Sequence, residues 1–154
     1  MPITSAGILL YRLHEGEPQV LLGHPGGPFW RRRDAGAWML PKGELQPDED
    51  AQSAARREFE EELGIPAVGA LVALGRLRQR GGKWIEAFAL EGDLDPAIMR
   101  SNLFEIEWPP HSGQRASFPE IDRVAWFTLA QARHKILPSQ APLLDWLETM
   151  LAGV

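Results

Sequence analysis

Gly43 to Ile65 reads GELQPDEDAQSAARREFEEELGI, and six of the eight residues before Gly64 are charged. Ala51, Ala55, Phe59 and Leu63 recur every fourth residue, the spacing of one helical face, so the segment reads as an amphipathic helix with that stripe turned inward. Pro47-Asp48-Glu49-Asp50 opens it, with Asp48 expected as the cap and acids in the first turn. Gly64, followed by Ile65-Pro66, closes it. On such a helix Glu58, Glu61 and Glu62 stand at i, i+3 and i+4 and share a face about 100° wide, whereas Glu60 points elsewhere.

Three carboxylates on one face repel one another, and like charges at i, i+4 cost roughly 0.2–0.5 kcal/mol even when solvated. Arg57 can reach Glu61 and Arg56 can reach Glu60, but neither neutralises the whole group. A hard divalent cation would, because Mg²⁺ and Mn²⁺ prefer carboxylate and carbonyl oxygens and complete their shells with water and phosphate. Taken alone, REFEEEL reads more simply as an acidic, solvated helix face. The residues flanking it alter that reading.

Upstream, Thr4 to Leu13 and Gln19 to Gly23 are apolar runs rich in strand formers, joined as a hairpin by His14-Glu15-Gly16-Glu17-Pro18. A long loop, His24 to Ala37, carries three consecutive arginines before the brief apolar return Trp38-Met39-Leu40. Loops of this length are usually functional or disordered. Downstream, Val68 to Leu77 and Lys83 to Leu90 read as strands around Gly81-Gly82, and Asn102 to Trp108 and Asp122 to Thr128 as two more with a loop between them. Leu129 to Leu137 and Gln140 to Leu151 read as helices capped by Thr128 and Ser139. Mixed strands with a few helices predict an α/β or α+β sandwich, and the absence of repeats and linkers predicts one domain over residues 1–154.

Composition narrows the chemistry. The chain has no cysteine, which excludes disulfides, thiolate zinc sites and a cysteine nucleophile. The balance of 16 Lys+Arg against 21 Asp+Glu argues against broad binding to a nucleic-acid backbone. No apolar run approaches a membrane span, and Met1-Pro2-Ile3-Thr4-Ser5 lacks an export pattern, so a cytoplasmic protein is expected.

The opening segment resembles the Nudix box, G-x5-E-x7-R-E-U-x-E-E-x-G-U with U an apolar aliphatic or aromatic residue. Gly43, Glu49, Arg57, Glu58, Phe59, Glu61, Glu62, Gly64 and Ile65 fill every fixed position. Residue frequencies put a chance match on the order of 10⁻⁹ per window. Phe59, in place of the commoner Leu, is a mild departure. The hairpin before the box, the strands after it and the closing helix agree with the family's α/β/α sandwich and its mixed sheet.

The resemblance implies hydrolysis of a nucleoside diphosphate linked to another moiety, with Mg²⁺ or Mn²⁺ and an attacking water. On this chain it implies Glu58, Glu61 and Glu62 as metal ligands, one carboxylate serving instead as base, and a carbonyl ligand at Lys42 or Gly43. Arg57 would orient the carboxylates, Glu49 would support the loop and helix, and Gly43 and Gly64 would serve backbone shape. Many members add a carboxylate near the last strand, here Glu120, with Glu105 and Glu107 as rivals. The charge of a diphosphate calls for cations as well, for which Lys42, Arg31, Arg32 and Arg33 are the candidates. An exposed arginine run is equally an ordinary solvated surface.

Trp30, Trp38, Trp84 and Trp108 stand where a base could stack, although core packing is the simpler role for each. His14, His24, His111 and His134 show no ligand spacing. Leu40-Pro41-Lys42-Gly43 resembles members that hydrolyse dinucleoside polyphosphates or related highly phosphorylated compounds, with a nucleoside triphosphate as the other expected substrate. The segment from 91 to 125 is expected to help set specificity. A Nudix-fold module that binds a nucleotide or a protein without hydrolysis is the alternative, but such modules would be expected to lose box carboxylates. Exposed edge strands allow a homodimer.

Overall fold

In the computed structural model, which describes residues 4–79 and 81–153, the amino-terminal hairpin sets the frame. Strands β1 (Thr4–His14) and β2 (Glu17–Pro25) are antiparallel. They turn through Glu15 and Gly16, both with left-handed backbones, φ 53° and 81°. A two-residue loop of that hand matches the twist of its flanking strands.

β1 is the axis of the sheet. One edge runs parallel to β5 (Trp84–Glu91) from Thr4 to Tyr11. The other edge is divided: Tyr11 to His14 pair with β2, while Ser5 to Gly7 pair with β3 (Lys42–Glu44). With β4 (Val72–Arg78) and β8 (Ile121–Thr128) the order is β4-β5-β1-β2-β8, and β3 fills the fork where β2 leaves β1. A side chain at Gly7 would lie 2.6 Å from the Pro41 carbonyl oxygen and 2.8 Å from Lys42 Cβ, so glycine lets the Pro41-Lys42 segment close onto β1.

Alternation along β1 sends Ile8 and Leu10 to one face and Leu9 to the other. On the first face α1 (Ala51–Leu63) lays Ala54, Ala55, Phe59 and Leu63 against Ala6, Ile8, Leu10, Leu21 and Phe88. On the second, α2 (Leu129–Lys135) and α3 (Pro142–Leu151) cover Leu9, Val20, Leu22 and Ile85 with Ala132, Leu143, Leu144 and Leu147. Each fully buried large aliphatic side chain contributes about 1.5–3 kcal/mol. Two such layers produce the expected α/β/α sandwich with a mixed sheet. No helix among the described residues is long and apolar enough to cross a membrane.

Several local expectations are corrected. The cap of α1 is Asp50, whose Oδ1 accepts from Ser53 N at 2.7 Å; Asp48 sits in the preceding turn with φ 63°. The acids therefore precede the first helical turn, which contains none. Val68 lies outside β4 and is 77% exposed. Part of the supposed loop before β8 is a strand, β7 (Arg115–Pro119), which pairs with β6 (Leu103–Glu107) as a two-stranded arm. Thr128 caps α2 through a capping box with Gln131, as its position suggests. Ser139 caps nothing; it lies in the 3₁₀ turn Pro138–Gln140, and α3 starts at Pro142 without a side-chain cap.

Candidate active site

The carboxylates of α1 are organised by Arg57. A turn closed by Glu49 N–H donating to Gln46 O at 3.1 Å brings Glu49 back over the helix. There Arg57 grips it with both arms of the guanidinium, Nε to Oε2 at 2.8 Å and Nη2 to Oε1 at 2.9 Å. Nη2 also donates to Glu44 O at 3.0 Å, while Nη1 donates to Glu58 Oε1 at 2.8 Å and to Glu61 at 3.3 Å. The Arg57 hydrogen bond, then the Gln46 amide, hold the Glu49 carboxyl down to about 2. Arg57 is raised in turn, with Glu49 as the main cause.

Beside this clamp the carboxylates gather into a second group, which Arg57 compensates only at Glu58. The Glu58 side chain, 14% exposed, rests on Gly43, where a Cβ would fall 2.0 Å from its carboxyl carbon. A side chain at position 43 would therefore displace the Glu58 carboxylate from this seat. Burial raises Glu58 despite Arg57, and Glu61 and Glu120 add to the rise. Glu62 is pushed up to about 8, first by burial and then by the charges of Glu58 and Glu120. Its relief is slight, from the Lys42 ammonium and the Lys42 backbone amide. Lys42 itself is lowered by burial, against the pull of Glu62.

Glu120 comes from a distant part of the chain and is held by its backbone. Its N–H donates to Asn102 O at 2.9 Å and its carbonyl accepts from Gly26 N at 3.0 Å. Asn102 N and Arg100 N donate to the Glu61 and Leu63 carbonyls at the end of α1, each at 2.9 Å. The strap from Arg100 to Asn102 thus ties the last turn of α1 to the Glu120 corner. A side chain at Gly26 would lie 1.8 Å from Pro119 O, so glycine permits that approach.

Lys42, Glu62 and Glu120, with Pro25, Met39, Leu40 and Ile121, line a cleft of about 150 Å³. A neighbouring cleft of about 310 Å³ shares Met39 and Lys42 and adds Trp30, Gln79, Lys83, Leu137 and Gln140. Lys83, Gln79 and Gln140 were not singled out from the sequence, where polar residues in a hairpin and at a helix start carry no distinguishing signal.

The other candidates are dispersed. Arg31, Arg32 and Arg33 are exposed on the loop after β2, and Arg33 stacks over Trp30 at 5.6 Å. Arg56 does not reach Glu60; it donates to the Ala67 and Gly69 carbonyls. Glu105 pairs with Arg115, and Glu107 accepts from His111 N and Gly113 N, so both rivals of Glu120 serve the β6–β7 arm. Trp38 is core, and Trp108 packs edge-on against Phe29 at 5.5 Å. His24 has a role that spacing could not reveal: fully buried, it holds Asp122 through Nδ1 at 2.9 Å and the Arg33 carbonyl through Nε2 at 2.6 Å, tying the arginine loop to the sheet.

Among the described residues no three His, Cys, Asp or Glu side chains already converge on a common ion position. Glu58 and Glu61 are turned toward Arg57 instead. The donor set nevertheless suits a hard divalent cation in kind: carboxylate oxygens, partly desolvated and short of positive charge.

An α/β/α sandwich with an acidic loop and helix set against the fork of its sheet defines the class. The chain belongs to the NUDIX domain family, whose model matches residues 1–147. It is 40% identical to an RNA pyrophosphohydrolase of Caulobacter vibrioides over 63 residues, 38% of this chain and 37% of that relative. The match therefore spans well under half of that relative's length. A second RNA pyrophosphohydrolase, from Bradyrhizobium, is 26% identical over 92% of this chain and 87% of its own. Among solved structures, a binary complex of the Caenorhabditis elegans Ap4A hydrolase superposes with a TM-score of 0.67 and 25% identity, covering 97% of this chain and 99% of that one.

Proposed function

We propose that the chain is a divalent-metal-dependent pyrophosphohydrolase acting on a nucleoside diphosphate linked to another moiety, with a dinucleoside polyphosphate or a nucleoside triphosphate as the favoured substrate. The observation that carries this reading is the Glu62 carboxyl, pushed up by burial and by Glu58 and Glu120 with only Lys42 for relief, in a chain whose box is intact. The names of the curated relatives and of the structural neighbour support pyrophosphate hydrolysis in general, and the former add RNA to the substrates worth testing.

In this reading Glu58, Glu61 and Glu62, with the backbone at Gly43, would hold Mg²⁺ or Mn²⁺, which when bound would supply positive charge for the diphosphate and a more acidic water. Arg57 keeps Glu58 and Glu61 in register with the loop. Lys42, between the two clefts, meets a phosphate oxygen, and Glu120 takes the proton of the attacking water. Arg31, Arg32 and Arg33 meet the more distant phosphates from the rim.

The test is phosphate release from dinucleoside polyphosphates, nucleoside triphosphates, nucleotide sugars, ADP-ribose and 5′-triphosphorylated RNA, with Mg²⁺, with Mn²⁺ and with chelator. Turnover of one class that chelator abolishes is the expected result. Nucleotide binding without turnover across the panel would replace the proposal by the binding-module alternative.

A further inference from the structure

Gln140 ends the 3₁₀ turn between α2 and α3 and is fully buried. Its Oε1 accepts from Leu40 N at 3.2 Å, and because Leu40 offers a donor, oxygen is the atom that must face it. Nε2 is then left over. Among the described residues it is the buried side-chain polar atom that has no hydrogen-bond partner. Buried donors are normally satisfied by protein, ordered water or a ligand, and Nε2 has no protein acceptor.

Gln140 borders the 310 Å³ cleft that also holds Trp30, Gln79, Lys42 and Lys83. Small-molecule sites run roughly from 300 to 1,000 Å³ and combine apolar walls with a few placed polar groups. Lys42 and Lys83 supply charge for phosphate, and Trp30 supplies a flat aromatic wall for a base. A buried, uncharged donor is a poor match for a phosphate oxygen, whose charge is costly to desolvate without a cation paired to it. It matches a neutral carbonyl.

We infer that Gln140 is a specificity-determining residue: its Nε2 donates to a carbonyl oxygen on the edge of a nucleobase seated beside Trp30, so the cleft prefers guanosine and other oxo-bases over adenosine. This rests on the reading of the substrate as a nucleotide. Adenine presents an amino donor where guanine presents its oxygen, and two donors facing each other repel.

The test separates binding from hydrolysis by working in chelator. Wild type, Gln140→Leu and Gln140→Met are titrated with guanosine 5′-monophosphate and adenosine 5′-monophosphate, followed by tryptophan fluorescence, with melting curves as the check on folding. Wild type should favour the guanosine nucleotide by about tenfold, and both variants should level that preference while still melting cooperatively, at a lower temperature because each removes the acceptor of the Leu40 amide. Lys83→Ala should weaken both nucleotides alike and leave their ratio unchanged. A wild type without preference, a wild type that binds neither nucleotide, or a preference that survives in both variants would overturn the assignment. Turnover of the substrate panel judges the hydrolase reading separately: hydrolysis without base preference sinks only this inference, and preference without hydrolysis sinks only that reading.

Discussion

Glu49 and Glu62 belong to the same acidic stretch, yet their surroundings drive them in opposite directions. Glu49 lies in a two-armed Arg57 grip with a backbone amide on one of its oxygens, and its carboxyl falls to about 2. Glu62 is half-buried beside Glu58 and Glu120 with one partly desolvated lysine for relief, and rises to about 8. A carboxylate that supports the fold is given its counter-charge by the chain. In the proposed reading Glu62 is a metal ligand, and its shortfall of counter-charge is what a cation would fill.

The strongest way to break this contrast is to neutralise the proposed metal ligands, Glu61 within reach of Arg57 and Glu62 outside it. Glu61→Gln and Glu62→Gln should each lower turnover by roughly 10²–10⁴-fold in the steady-state assay, with circular dichroism unchanged. Wild-type activity in both would sink the metal assignment. Next comes the compensated side. Arg57→Lys keeps the charge but cannot reproduce the fork, so it frees Glu49 and lets Glu58 and Glu61 drift. Turnover should fall by about 10–100-fold, the usual loss when a group that orients ligands is replaced, together with a lower melting temperature. An unchanged pair of values would mean that the clamp is incidental.

A titration sharpens the contrast further, because the two carboxylates give slopes of opposite sign. Glu49 is depressed from 4.5 to about 2, so its contribution is present above pH 4.5 and lost as pH falls through 2. Glu62 is raised from 4.5 to about 8. Between those values the folded protein binds a proton that the unfolded chain does not, so stability is full below pH 4.5 and declines as pH rises through 8. In chelator, Glu62→Gln should therefore flatten the fall in melting temperature between pH 5 and pH 8.5. By the upper value it should be the more stable protein by about 1–3 kcal/mol, less than the full shift would give because the carboxyl remains partly solvated. Parallel curves for the two proteins would show that Glu62 ionises freely without metal.

What could be read from the sequence follows the same division. The α1 stripe, the glycine that ends the helix and the single-face carboxylates are local, periodic features, and the residues of the Arg57 clamp all fall within one stretch of chain. The cap is not decided locally: Asp48 and Asp50 are chemically alike, and the turn geometry selects Asp50. β7 escaped notice because its strand, RASFP, has little alternation and pairs only with β6 in an arm outside the main sheet. Gln140 and His24 could not be found at all. Their significance lies in partners 100 and 98 residues away, Leu40 and Asp122, which only the folded chain brings near.

The smallest expected effect tests the edge of the site. Arg31 stands exposed on the loop that His24 ties to the sheet, next to Trp30 at the rim of the larger cleft. A charge that solvent reaches freely contributes little, about 0.2–1 kcal/mol per contact. Arg31→Ala should therefore raise KM roughly two- to fivefold by the same reasoning. Its kcat should hardly move, because a side chain that grips a distant phosphate equally in the ground and transition states adds uniform binding. A fall in kcat without a change in KM would place Arg31 at the reacting phosphate instead. Unchanged values of both would return the arginine run to the solvated surface and leave substrate charge to Lys42 and Lys83, the two cations that line the cleft.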